Sequence, residues 1–561
     1  MIRLLSVALL IMGTALYAWG LLVGNLRIGP PLVALAPLQL PPELVPVESL
    51  QVPAGTLTGR NLLLVTLDTT RADRLGLYGN ASAQTPTLDR LGREGVVFSR
   101  AVATASSTLP THASMLTGLY PHRHGAPANA VFVLDPDVPT LGEVLAERGY
   151  RTAAFISAST IDAQFGLSRG FDHYDDVSSA LARYEILSER RADETTDRAI
   201  AWLERPGARP WFVWVHYFDP HAVYAPPEPH ATGHLLAYDG EIAFVDAQLA
   251  RLLEAARAAS SRDPLVVVAA DHGEALGEHG EQTHSYLVQE ATLQIPLILH
   301  AGDALPGGRR IDARASQVDL MPTVLALLGI ESPTGLDGVD WTHSPEPDRP
   351  VLAETIEGRA LYGWSRLSAL YQGEAKLVTG SRAALYDLGR DPTERQDLAD
   401  AKPAEVVELE RRLLEIRGGE GGMLAPAPGV LADDTIQRLA ALGYVVTEGL
   451  AFEAGGPGPD PRDLVDDVSK LQITVNARLQ ADRISWLLRA FAWLNDVPLP
   501  RTAEETTEVL EAMVERRPDF APAWYYLGDY YKQAGRNEDF ARAHERLEAL
   551  RRARATGPPR S

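Results

Sequence analysis

Short, continuous apolar runs alternate with stretches of helical spacing between residues 61 and 300. The runs Leu62–Leu67, Thr152–Ser157, Trp211–Tyr217, Leu265–Ala270 and Ile295–Leu299 have strand length and no polar alternation. That pattern predicts strands covered on both faces. Between them, Thr87–Glu94, Leu141–Arg148, Ala192–Leu203 and Ile242–Ala256 repeat apolar residues at helical intervals. The alternation predicts an α/β fold with a mainly parallel sheet sandwiched by helices. In such sheets ligands collect beyond the carboxyl ends of the strands. Asp68 follows the first run, His216–His221 ends the third, and Asp271-His272 follows the fourth. Three strand ends therefore bring polar residues to one edge.

The pattern changes on either side of this block. From Leu4 to Gly24 no residue is charged. At a rise of ~1.5 Å per residue the run is long enough to cross a hydrocarbon core of about 30 Å. It exceeds the ~7–15 apolar residues of a cleaved signal peptide. Residues 1–27 thus read as an N-terminal membrane anchor, with a cleaved export segment as the alternative. The catalytic domain is expected outside the cytoplasm, on the periplasmic or extracellular side. Residues 28–60, rich in proline, read as a semi-rigid linker. The catalytic domain is expected at 61–345, followed by a small antiparallel C-terminal subdomain at 346–450 that includes Ala375–Val378.

A Gly/Pro-rich linker at 451–463 then precedes an all-helical tail, residues 464–561. There Trp524, Leu527, Gly528 and Tyr531 keep the spacing of the first helix of a tetratricopeptide repeat, with Gly535 at the turn. Ala503–Arg517 predicts a helix that stops at Pro518. The tail reads as a tetratricopeptide-like module offering a surface to a protein partner. A helical cap packed on the enzyme is the alternative.

Composition narrows the function. The net charge is −22. No basic surface dominates such a field, which argues against nucleic acid as a partner. There is no cysteine, hence no disulfide, thiolate ligand or cysteine nucleophile. Two carboxylates, an imidazole and a hydroxyl converging on one sheet edge suit a divalent cation.

These pieces together resemble the sulfatase family of the alkaline phosphatase superfamily. The matching stretches are Val65–Asp73, Thr108–Gly118, His216–His221, Asp271–Glu274, His284–Pro296 and Asp319–Leu325. Leu385–Leu388 with Asp391-Pro392 and Glu394 is similar to the family's C-terminal subdomain, and Leu439–Tyr444 to sulfatase-like proteins carrying such repeats. The resemblance implies one divalent cation, calcium, zinc or manganese, held by Asp68, Asp271 and His272, with Thr108 at the nucleophile position and touching the metal. It implies catalytic contacts of His221 and His284 with an anionic ester, and substrate contacts for His112 and His216. A cation stabilises the alkoxide of a hydroxyl that is otherwise a poor nucleophile.

Three departures redirect the chemistry. Sulfatases of this kind oxidise cysteine or serine to formylglycine, and the methyl group on the threonine β-carbon prevents an aldehyde. Thr69 stands where a second ligand aspartate is frequent, and His112 where the usual motif has arginine. Fewer carboxylates and an added imidazole make zinc or manganese more suitable than in an all-oxygen calcium cage. Other branches of the superfamily resemble this chain in attacking phosphorus with threonine. The expected function is therefore metal-dependent hydrolysis or transfer of an anionic ester, phosphoester ahead of sulfate ester. A sulfatase without formylglycine and an inactive scaffold acting through its helical tail are the alternatives.

Overall fold

The computed structural model describes residues 37–129, 132–177, 189–222, 224–233, 236–346, 348–418, 458–479 and 502–555. Its main sheet is formed by β1 (Val45–Val47), β2 (Leu62–Leu67), β3 (Val96–Val102), β4 (Arg151–Phe155), β5 (His173–Asp175), β6 (Trp211–Tyr217), β7 (Leu265–Ala270), β8 (Gln294–His300), β9 (Arg309–Ile311) and β10 (Ala315–Ser316). The strand order is β1-β9-β3-β8-β7-β2-β6-β4-β5, with β10 beside β3. The sheet is mainly parallel; β8 runs antiparallel to both β3 and β7. Every residue of β2, β6 and β7 is buried, because helices cover both faces. This is the burial their unbroken apolar sequences require.

Helices Pro86–Glu94, Leu141–Glu147, Ala192–Leu203 and Ala237–Ala258 stand where helical spacing predicts them. The second is opened by a capping box: Thr140 accepts from the Glu143 amide while Glu143 reaches back to the Thr140 amide. A second sheet, β11 (Val351–Thr355), β12 (Leu367–Gln372), β13 (Ala375–Thr379) and β14 (Ala383–Asp387), is antiparallel throughout. A buried ammonium binds it to the catalytic unit. Lys376 on β13 contacts Glu290 at 2.9 Å and Glu394 at 2.7 Å, and Tyr371 on β12 donates to Glu290.

The stretch expected as a linker is only partly one. Within its described portion, β1 pairs with β9, and Leu44, Leu50 and Leu57 are buried in the main core. Apolar residues between the prolines supply that packing. The expected membrane anchoring, with the catalytic domain held outside the cytoplasm, is corrected: no helix among the described residues is long and apolar enough to cross a membrane. Leu4–Gly24, on which that expectation rested, lies outside the described residues.

The C-terminal region is helical, with Val465–Leu479, Ala503–Arg516, Ala521–Gln533 and Asn537–Ala555. It packs on the enzyme. Val465, Val468, Leu471, Leu510, Leu527 and Tyr531 belong to the same continuous apolar cluster as the central strands.

Candidate active site

Strand register assembles the site. Leu67 at the end of β2 lies opposite Ala270 on β7 and Tyr217 on β6, and all three strands run parallel. Neighbouring strands are ~4.8 Å apart, so the next residues, Asp68 and Asp271, arrive side by side. Thr66 on β2 faces His216 on β6. The fourth contributor is the helix Thr108–Thr117, whose first residue is Thr108 and whose residues are all buried. Ser107 caps it with extended backbone and no side-chain hydrogen bond. The amino end of a helix carries positive potential, which suits an anion.

The ligand atoms of Asp68, Asp271 and His272 all lie within 4.8 Å of one another and are fully buried. Their hydrogen bonding is incomplete in one direction only. Asp271 Oδ1 accepts from the amides of Thr69 and His272, whereas Asp271 Oδ2 has no hydrogen bond among the described residues and lies 3.5 Å from His272 Nε2 and 3.8 Å from His112 Nδ1. Asp68 Oδ2 contacts His216 Nε2 at 3.2 Å, whereas Asp68 Oδ1 is unpartnered. His272 donates Nδ1–H to the Gly273 carbonyl at 2.9 Å, which directs its lone pair to Nε2, also unpartnered. The Thr108 hydroxyl is buried without a partner as well.

Burial, reinforced at Asp68 by Asp271 and Glu274, pushes both carboxyls well above the ordinary range. Burial, with His284 close by, holds His272 neutral, well below its ordinary value. A buried carboxylate pair is costly without a counter-charge. One divalent cation bound by these open atoms would remove the cost, so the residues present fit such an ion.

Beside this centre stand two further imidazoles, those of His221 and His284. His221 donates Nδ1–H to the Ala222 carbonyl, and its Nε2 is unpartnered. Its ring stacks on Phe218 and lies 5.0 Å from that of His284, which is 4.4 Å from His272. Burial drives both His221 and His284 down to about 3. Glu274, which the sequence reading included in the stretch Asp271–Glu274 but gave no role, contacts His284 Nδ1 through Oε1 at 3.3 Å and accepts from Tyr224 through Oε2 at 2.9 Å. Burial pushes Glu274 up to about 7. Its nearness in sequence to His272 was visible; its pairing with a residue ten positions on was not.

His112 and His216, expected to contact substrate, are both buried. His112 donates Nδ1–H to the Thr108 carbonyl at 2.7 Å and contacts the Thr66 hydroxyl through Nε2 at 3.0 Å. Both its nitrogens are engaged between the helix Thr108–Thr117 and β2. His112, His216 and Asp271 also form a cluster of metal-ligand type, but the Nδ1 proton of His112 is committed to that carbonyl. Thr69 is no ligand either: its hydroxyl donates to the Pro220 carbonyl at 3.0 Å, and its amide supports Asp271. Gln317 donates to the carbonyls of Ala270 and Asp271 and accepts from the Thr104 amide, fixing the end of β7. No sequence motif marks Gln317 for that task.

Residues 60–330 match the family model described as Sulfatase. The uncharacterized sulfatase YidJ of Escherichia coli is 25% identical over 419 residues, covering 61% of this chain and 83% of the relative. The Delta 4,5-hexuronate-2-O-sulfatase of Bacteroides thetaiotaomicron is 22% identical over 432 residues, covering 63% and 88%. Among solved structures, the phosphonate monoester hydrolase of Agrobacterium radiobacter superposes with a TM-score of 0.53 at 23% identity, over 64% of this chain and 95% of that one.

Proposed function

We propose, on the premise that this chain is an ester hydrolase of the alkaline phosphatase superfamily whose residues 60–330 belong to the sulfatase family, that Thr108 is its nucleophile and a phosphoester or phosphonate ester its substrate. One observation carries the reading: a buried threonine hydroxyl without a hydrogen bond opens a helix whose His112, bonded to the Thr108 carbonyl, lies 3.8 Å from Asp271 Oδ2 of the ligand cluster. Asp68, Asp271 and His272, with the Thr108 hydroxyl, would hold the cation. When bound, a divalent ion supplies positive charge that favours the alkoxide and the developing charge on the ester oxygens. Two carboxylates and an imidazole favour zinc or manganese over calcium.

The side chains divide the remaining work. Thr108 Oγ1 forms a bond to phosphorus as the bond to the leaving alcohol oxygen breaks. His221 and His284 flank the centre as neutral imidazoles: one takes up the Thr108 hydroxyl proton, the imidazolium so formed supplies the proton that the departing alcohol oxygen needs, and the other is a hydrogen-bond partner of the ester. Water, or a second alcohol, then displaces the phosphothreonine and restores Thr108. His112 holds the nucleophile through its backbone carbonyl, and His216 holds Asp68. The helical tail is tetratricopeptide-like in sequence, and we assign it to that class.

Sulfate-ester hydrolysis is the second reading, favoured by relatives named as sulfatases. It requires a route without formylglycine, since oxidation of threonine gives a ketone. An inactive scaffold would have no need of unpaired, buried ligand atoms, and those weigh against it.

The test is turnover of 4-nitrophenyl phosphate, bis(4-nitrophenyl) phosphate, 4-nitrophenyl phenylphosphonate and 4-nitrophenyl sulfate, with zinc, manganese, calcium or chelator. Thr108→Ala should lower turnover of a phosphorus ester by about 10³-fold or more. Turnover of the sulfate alone, untouched by that substitution, would sink the proposal.

A further inference from the structure

The catalytic histidine His284 sits at the base of a closed loop whose tip is held by the helical tail. The loop leaves the site at Glu274, and the Ala275 amide donates to the Thr283 carbonyl at 2.7 Å, drawing its two ends together. Inside, Gly277 donates to the Glu281 carbonyl and Glu281 to the Glu278 carbonyl. Such a compact loop with paired ends moves as a unit.

Its backbone is held in an uncommon form. Leu276, His279 and Ser285 have positive φ, at 51°, 54° and 99°, although none is glycine. Side chains rarely adopt this region, and it persists only where the surroundings fix it. Two sets of contacts fix it here. Arg71, wholly buried, donates to the Glu274 carbonyl and pairs with Glu278 at 2.8 Å. From the tail, Ser469 on the helix Val465–Leu479 donates to the Gly280 carbonyl at 3.0 Å and accepts from the Gln282 amide at 3.2 Å. Ser469 is 2% exposed, so water does not compete for either bond. The fit is close: a β-carbon placed on Gly280 would lie 3.6 Å from Val465 Cγ1.

The tail helix is itself braced on both sides. Before it, the segment from Gly458 to Asp463 joins the smaller sheet and its flanking turn through Ser365–Gly458, Ser381–Asp460 and Arg382–Asp463. On the other side, Arg516 at the end of the helix Ala503–Arg516 and Arg517 just after it pair with Asp467, two residues from Ser469.

We propose that Ser469 is a positioning residue for the reaction: it clamps the tip of the 274–285 loop and so sets the place of His284 beside the nucleophile. The helical tail thereby completes the catalytic unit. The inference rests on the assignment of His284 as a catalytic residue.

In the full chain, Ser469→Ala should speed hydrogen–deuterium exchange within residues 276–285. It should also lower kcat by roughly 10- to 100-fold, with KM and bound metal unchanged. The drop should be steeper for an alkyl ester than for a 4-nitrophenyl ester, because a poor leaving group depends more on proton donation. Ser469→Thr keeps the hydroxyl and should restore both exchange and kcat. Lys470→Ala, next along the same helix, should change neither. Unchanged kcat despite faster loop exchange would overturn the proposal, as would loop exchange that does not respond. Equal, molecule-wide loosening in the Ala and Thr variants would overturn it too. If the unsubstituted chain turns over no ester, the functional reading fails, while the exchange comparison still decides the clamp.

Discussion

At the scale of single residues, the site shows how burial makes ordinary groups reactive. Glu274 contacts His284 and is in neither metal-ligand cluster among the described residues, so the proposed mechanism gives it a role through the imidazole. Glu274→Gln should lower kcat by about 10²-fold on an alkyl ester and less on a 4-nitrophenyl ester. In a His284→Gln background the same change should add little. Metal content measured alongside should stay constant. Glu357 offers a separate check on burial. It accepts from the Asn129 amide through Oε2, while Oε1 has no partner, and burial pushes its carboxyl from 4.5 to about 8. A folded-state value above the unfolded one means the folded protein holds the proton more tightly. That stability is fully present below pH 4.5 and is lost as pH rises through about 8. Glu357→Gln removes the titration. Its Tm advantage over the unsubstituted chain should therefore be small at pH 5 and grow by pH 8, as read by thermal melts.

At the scale of elements, the site is a product of strand order. Asp68 and Asp271 lie far apart in sequence, and the parallel register of β2 and β7 makes them neighbours. Gln317 holds that register at its functional end through three backbone groups. Gln317→Leu leaves those groups buried and unpaired, at a cost of about 1–3 kcal/mol. Supporting contacts of this kind are worth about 10–100-fold in metal affinity, and calorimetric titration with zinc should show a weakening in that range. The helix Thr108–Thr117 falls in the stretch Thr108–Gly118, which was legible from its sequence as a site segment. That Ser107 would cap it without a side-chain bond, leaving the amino end free for an anion, was not.

At the scale of the whole molecule, three units share one core. The smaller sheet joins through Lys376, Glu290 and Glu394, and the tail through apolar residues continuous with the central strands. A cation that relieves the Asp68–Asp271 repulsion should therefore stabilise the assembly as a unit. Free metal at about 100 times its dissociation constant adds ~2.7 kcal/mol. Chelation should lower Tm in a single, shifted transition that metal reverses. Asp271→Asn should melt near the chelated chain and show little response to added metal.

Apolar periodicity by itself determined the α/β architecture, because strands buried on both faces must be unbroken apolar runs. β2, β6 and β7 accordingly lie where Leu62–Leu67, Trp211–Tyr217 and Leu265–Ala270 place them. Predictable strand ends singled out Asp68, Asp271 and His272, and the family resemblance pointed to Thr108. Contacts between distant segments were decided only by the tertiary structure. Glu274 meets His284 because a loop closes on itself, His112 turns inward because Thr66 and the Thr108 carbonyl occupy its nitrogens, and Ser469 reaches Gly280 across 189 positions of chain. Periodicity reports which face of an element is buried; it carries no record of what lies on the other side.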